Sequence, residues 1–92
     1  MGYALPAAIA AKLAKPKSPA IAFVGDGGFA MTMSELETAV RLNLANLVVL
    51  VFNNNNYGTI SRHQNREFPG RPVGTGLCTI DFSAIAKAMG AE

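Results

Sequence analysis

Two short polar stretches hold the residues best suited to chemistry. Gly25-Asp26-Gly27-Gly28 and Asn53-Asn54-Asn55-Asn56-Tyr57-Gly58 each follow directly on an apolar run. Asp26 offers a carboxylate oxygen and Asn54 an amide oxygen. A turn at Asn55 and Asn56 would add a backbone carbonyl. Hard oxygen donors carrying little total charge suit Mg²⁺ or Ca²⁺, with phosphate oxygens and water completing the coordination. Gly27 and Gly28 lack side chains, so their backbone N–H groups can approach an anion closely. A helix starting near Ser34 would add a favourable dipole. Taken singly, a Gly-Asp-Gly-Gly string is an ordinary turn and an asparagine run an ordinary stop signal. The pair gains specificity because each follows a buried-type strand and one helix separates them.

The flanking elements explain how the two stretches could meet. Ala20 to Val24 is apolar, of strand length, and stopped by Gly25. Leu47 to Phe52 is continuously apolar and rich in β-branched residues, so it reads as a parallel strand covered on both faces. Ser34-Glu35-Leu36-Glu37 fits a capping box. The helix from there to about Leu42 puts Leu36, Ala39 and Val40 on one face. In a right-handed βαβ crossover both loops emerge at the carboxyl edge of the sheet, where open α/β sheets bind ligands. Neighbouring strands lie about 4.8 Å apart, so one small ion could touch both loops.

Pro6 to Lys15 reads as a helix with Pro6 at its first position, and Pro16 and Pro19 bracket a connector. Arg66 to Thr79 reads as loop. Phe82, Ile85, Ala86 and Met89 follow at helical spacing, with Asp81 as cap and Gly90 as terminator. The order is helix, strand, loop, helix, strand, loop, helix. This is a βαβ unit with flanking helices, an α/β fold with parallel strands and one domain without internal boundary. Two strands make a poor sheet alone, and an α/β pattern would next supply a strand. Residues 1–92 are therefore expected to be part of one domain.

Composition excludes other classes. The chain has 92 residues, half of them hydrophobic, and a net charge of +2 scattered along it, too weak to argue for nucleic acid. The single cysteine, Cys78, excludes an internal disulfide and suits a reducing compartment. Leu5 to Leu13 is apolar, but its lysines follow rather than precede it, the reverse of a signal peptide. No run is long enough to span a membrane. A soluble, cytoplasmic protein is expected.

Gly25-Asp26-Gly27, followed 25 to 30 residues later by Asn-Asn, resembles the signature of thiamine diphosphate (ThDP)-dependent enzymes. Met1-Gly-Tyr-Ala-Leu-Pro-Ala-Ala-Ile9, Ser34-Glu-Leu-Glu-Thr-Ala-Val40 and Asn53-Asn54-x-x-Tyr57-Gly58 resemble the acetolactate synthase and 2-keto acid decarboxylase branch, so the likeness spans the chain. It implies the diphosphate-binding domain, with ThDP and Mg²⁺ as cofactors. Asp26 and the Asn54 side chain would bind Mg²⁺, with the Asn56 main-chain oxygen as third ligand. Gly25, Gly27, Gly28 and the backbone near Tyr57 and Gly58 would hold the diphosphate. Thr59 and Ile60 would line the thiazolium and substrate pocket, and Met1 would lie against the aminopyrimidine.

The resemblance further implies decarboxylation or carboligation of a pyruvate-like 2-keto acid, with the cofactor as electron sink. No catalytic residue falls in this segment. The cofactor-activating glutamate of the family lies in a separate pyrimidine-binding domain on a partner subunit, so the chain alone is expected to be inactive and the enzyme a homo-oligomer. FAD accompanies ThDP in some relatives, and these residues leave it open. Ser61 stands where pyruvate-decarboxylase-like members place a glutamate, which argues against that subgroup. A non-catalytic subunit that keeps the fold is the alternative. A Rossmann-like nucleotide binder is disfavoured because G-x-G-x-x-G is absent.

The remaining reactive side chains have plainer readings. His63, Arg62, Arg66 and Arg71 read as solvated loop residues. Cys78, Met31 and Met33 read as packing, and Glu35 and Glu37 as helix-start residues.

Overall fold

The computed structural model describes all 92 residues. The elements run α1 (Ala4–Ala14), β1 (Ala20–Gly25), α2 (Asp26–Ala30), α3 (Glu35–Arg41), β2 (Leu47–Phe52), α4 (Gly58–Glu67) and α5 (Phe82–Ala88). β1 and β2 pair in parallel, Ala20 opposite Leu47 through Gly25 opposite Phe52. The fold is α/β, as the pattern predicts.

Helix α1 begins at Ala4, two residues before the expected start, and Pro6 is its third residue. The position still suits proline, because the first four helical N–H groups have no partner within the helix. Leu5, Ala8, Ile9 and Lys12 form its buried stripe at helical spacing. The Lys12 ammonium donates to the carbonyls of Pro16 and Ser18, each at 2.7 Å. That pair of bonds satisfies a side chain only 2% exposed and pins the connector that leads into β1.

Asp81 caps α5, accepting from the Ala84 N–H at 2.9 Å. Gly90, at φ +88°, ends it. The bonds Ala91 N to Ala86 O and Gly90 N to Lys87 O complete a Schellman closure. Helix α3 ends the same way, with Asn43 in the left-handed position and Leu44 N bonded to Ala39 O.

Ser34 is not a capping residue. Its backbone is already helical (φ −57°, ψ −26°) and its side chain makes no cap bond. An N-cap hydroxyl needs extended backbone to reach back to the helix N–H groups. A turn from Met31 to Ser34 instead carries α2 almost directly into α3, and Thr38 Oγ1 donates to Glu35 Oε2 at 2.8 Å. Glu35 and Glu37 do occupy the first turn of α3.

The core is one-sided. Leu5, Ile9, Val24, Phe29, Leu36 and Ala39 cluster on one face of the sheet, flanked by Leu47, Val49, Val51, Phe82 and Ala86. Phe29 and Phe82 meet edge to face with centroids 5.2 Å apart. The opposite face, formed by Ile21, Phe23, Val48, Leu50 and Phe52, is open, Phe23 being 62% and Phe52 64% exposed. The expected cover on both faces of β2 is therefore absent within this chain. All packing helices lie on one side, and β2 has a free edge beyond the two-stranded sheet. The radius of gyration is 15.1 Å, against about 12 Å for a compact chain of this length. Only 12 of 92 residues are buried, so these elements leave much apolar surface uncovered.

Candidate cofactor cleft

β1 delivers Gly25 in extended conformation (φ −77°, ψ 155°), and α2 begins at once with Asp26. The Gly-Asp-Gly-Gly stretch is thus a strand end running into a five-residue helix rather than a free loop. The helix next to this loop is α2, not the one expected to start near Ser34.

Asp26 is only 4% exposed. One carboxylate oxygen accepts the Gly27 N–H at 2.9 Å and the other the Asn54 N–H at 3.2 Å. The second bond ties the two loops together across the sheet edge. The ion pairs of the chain are Arg41–Glu37 and Arg66–Glu67, so no protein cation balances this buried charge.

The second loop is shaped by local bonds. Asn53 Oδ1 accepts from Asn55 N at 3.2 Å and Asn54 Oδ1 from Asn56 N at 3.1 Å. Asn55 takes a left-handed conformation at φ 54°, which asparagine tolerates better than most residues. The segment Thr75–Leu77 then lies antiparallel to it. Tyr57 N bonds Thr75 O and Leu77 N bonds Asn55 O, both at 2.8 Å, making Asn56 and Gly76 a bridge pair. In that arrangement the bridge residues themselves are not hydrogen-bonded to each other, and their polar groups point outward. The Asn56 N–H and C=O are therefore turned away from Thr75–Leu77, on the side where the Asn54 amide oxygen lies. The Asn56 side-chain oxygen is buried and has no partner.

Met1, Gly25, Gly27, Gly28, Tyr57, Gly58, Thr59 and Ile60 line a single cleft of about 340 Å³, together with Asp26 and Asn56. Asn54 is exposed and stands beside the cleft rather than in its lining. A Cβ on Gly27 would run into the Tyr57 ring, its Cδ1 only 2.6 Å away, so glycine is required for Tyr57 to lie over the loop. Gly28 sits close to the Gly2 backbone, bringing the N-terminal residues to the same cleft. Among the lining side chains Asp26 is the sole charge. A larger groove of about 1100 Å³ runs between β2, α3 and α5, away from Asp26 and the glycines.

Helix α4 and the Thr75–Leu77 segment escape the sequence reading. α4 has no buried residue, so no apolar stripe marks it. Its first turn, Gly58 to Ile60, faces the cleft. Thr75 is buried although it sits in a Gly/Pro-rich stretch. His63, Arg62, Arg66 and Arg71 are exposed and line no part of the cleft. Met33 packs against the core, while Met31 is 49% exposed and does not. Cys78 is exposed rather than packed. No helix is long and apolar enough to cross a membrane.

Comparison with known proteins agrees with this geometry. Over 91 residues the chain is 46% identical to a sulfoacetaldehyde acetyltransferase of Alcaligenes xylosoxydans xylosoxydans, covering 99% of this chain and 15% of that protein. It is 41% identical over 92 residues to the mitochondrial acetolactate synthase catalytic subunit of Aspergillus candidus, covering 100% of this chain and 13% of the relative. The chain thus spans about one-seventh of the length of these relatives. The ThDP-dependent 4-hydroxybenzoylformate decarboxylase of Rhodococcus jostii superposes with a TM-score of 0.88 at 30% identity, over 98% of this chain and 17% of that one. Residues 1–92 match the family described as thiamine pyrophosphate enzyme, C-terminal TPP binding domain, and the chain belongs to that family.

Proposed function

We propose that residues 1–92 form part of one diphosphate-binding domain, holding the diphosphate and Mg²⁺ of ThDP in an acetolactate synthase-like carboligase or a 2-keto acid decarboxylase. The observation that carries this reading is the charge of the cleft. Asp26 is a buried carboxylate without a protein cation, and no Lys, Arg or His lines the cleft. A diphosphate alone would meet repulsion from Asp26. A divalent cation bound by Asp26 reconciles the two, neutralising the carboxylate and attracting the phosphate oxygens.

The residues present fit that group. Asp26, the Asn54 amide oxygen and the Asn56 carbonyl offer three neutral or singly charged oxygen donors, on residues tied by the Asn54 N–H to Asp26 and the Asn56 N–H to the Asn54 side chain, the Asn56 carbonyl also accepting the Gly58 N–H. The Tyr57 ring fills the space beside Gly27, whose N–H is held by Asp26, so the diphosphate would lie along the part of the cleft lined by Gly25, Gly28, Gly58, Thr59 and Ile60. When bound, ThDP supplies the electron sink for bond cleavage next to a carbonyl. This chain orients the cofactor's charged end. Beyond Asp26, which the metal would occupy, no carboxylate, imidazole or amine side chain lines the cleft, whose remaining titratable side chains are the phenols of Tyr3 and Tyr57. Proton transfer therefore falls to a partner pyrimidine-binding domain, and the isolated chain turns over no 2-keto acid. A pyruvate-like acid is the substrate class that the related synthases suggest.

Replacing Asp26 with alanine in the full-length protein tests the reading. Mg²⁺-dependent ThDP affinity, measured by titration calorimetry, is expected to fall by more than about a hundredfold, since even losses around a metal ligand cost 10–100-fold. Unchanged affinity would remove Asp26 from the metal site.

A further inference from the structure

We propose that Gln64 is a positioning residue for the metal turn, acting through Val73 and the segment Thr75–Leu77. This rests on the reading of the cleft given above. The Gln64 side chain grips one residue from both sides: its Nε2 donates to Val73 O at 3.1 Å, and its Oε1 accepts from Val73 N at 2.8 Å. Beyond Val73 the chain goes straight to Thr75, whose carbonyl receives Tyr57 N, and to Leu77, whose N–H reaches Asn55 O. The contacts close a ring. The Asn55–Tyr57 turn leads into α4, α4 carries Gln64, Gln64 holds Val73, and Thr75–Leu77 returns to the turn.

The ring matters because Asn55–Tyr57 is otherwise held only by local bonds, Asn55 N to Asn53 Oδ1, Asn56 N to Asn54 Oδ1 and Gly58 N to Asn56 O, and by the Tyr57 ring over Gly27. Asn54 and Asn55 are exposed, Asn55 holds a left-handed backbone, and α4 contributes no buried side chain. The Thr75–Leu77 bridge turns the Asn56 N–H and carbonyl away from that segment, the N–H reaching Asn54 Oδ1 and the carbonyl accepting the Gly58 N–H at 2.8 Å. Without the Gln64 clamp, that bridge must close a loop of residues 58–74. With it, only the short link from Val73 to Thr75 remains free. Loop-closure entropy makes this difference worth on the order of tenfold in the population of the closed turn.

The effect should depend on the cation. Mg²⁺ demands near-ideal octahedral geometry, whereas Ca²⁺ tolerates variable coordination. A turn that loosens should therefore cost Mg²⁺ more than Ca²⁺. General destabilisation would weaken both alike.

The test uses the full-length protein with saturating ThDP, measuring the apparent Kd of Mg²⁺ and of Ca²⁺ for the native sequence, Gln64→Met and Asp26→Ala. Gln64→Met keeps the length of the side chain and removes both bonds. The expected result is Mg²⁺ affinity about tenfold weaker with Ca²⁺ affinity changed little, accompanied by faster hydrogen exchange at the Val73, Tyr57 and Leu77 amides. Gln64→Glu, which keeps the acceptor for Val73 N and loses the donor, should lie between the two and serves if the methionine variant fails to fold. Equal Mg²⁺ affinity in Gln64→Met and the native protein, with Asp26→Ala still defective, overturns the role of Gln64 and leaves the cleft reading intact. Equal weakening for both cations reduces Gln64 to general stability. Loss of no affinity in Asp26→Ala overturns the underlying site.

Discussion

The two loops at the sheet edge reach similar positions by different means. The first, Gly25 to Gly28, is built into the core. Asp26 and Gly27 are buried, and Phe29, one residue further on, is 2% exposed within the hydrophobic cluster. The second, Asn53 to Tyr57, stands largely in solvent and takes its shape from hydrogen bonds to Asp26, to its own side chains and to Thr75–Leu77. Packing fixes one half of the site and a backbone bridge fixes the other. Under the proposed function, a metal ligand set drawn from both halves would join a rigid partner to an adjustable one. Opening free energies are expected to differ in the same sense, because segments with few buried contacts open locally at low cost.

The contrast predicts unequal responses to substitution. Asp26→Ala removes the carboxylate that links the halves and should have the largest effect on Mg²⁺-dependent ThDP binding. Gly27→Ala comes next. Its methyl group would overlap the Tyr57 ring, and overpacking of this kind costs about 1–3 kcal/mol. A thermal melt should show the loss, and combining it with Tyr57→Ala should recover part of it, because the clash then disappears. Full additivity of the two changes would show that the ring does not rest on the glycine. Asn55→Val should be milder, about 1–2 kcal/mol, because a β-branched residue resists the left-handed backbone. Asn55→Gly should be neutral in the same denaturant titration, and a loss as large as that of valine would refute backbone strain as the cause. At the small end, His63→Ala should leave both stability and ThDP affinity within about 0.5 kcal/mol, as an exposed residue outside the cleft. A tenfold loss of affinity would bring His63 into the site.

Legibility in the sequence followed the same division. The strand Leu47–Phe52 and the end of α5 at Gly90 were readable from apolar run, cap and glycine. The motif residues were readable because hydrophobic strands announce where a loop at the carboxyl edge must start. What hid was held by bonds that leave no periodic signal. Helix α4 carries Ile60 as its one large apolar side chain and buries no residue, so no apolar stripe recurs along it. The bridge from Thr75–Leu77 joins residues far apart in sequence through backbone atoms, which every residue possesses. Ser34 misled because a capping-box spelling does not report backbone angles, and the Met31–Ser34 turn had already brought the chain into helical geometry. The continuous apolar character of β2 predicted burial on two faces, and only one face is covered by this chain. The helices α1 and α3 supply one layer. The second, under the proposed function, comes from the rest of the enzyme.

The most direct test of the account is the position of the metal itself. Crystals of the full-length protein grown with ThDP and Mn²⁺ in place of Mg²⁺ would reveal the ion by its anomalous scattering. The expected result is one peak bounded by the Asp26 carboxylate, the Asn54 amide oxygen and the Asn56 carbonyl, with the remaining positions taken by diphosphate oxygens and water. A diphosphate seated in the cleft with the ion bound away from Asp26 would contradict it.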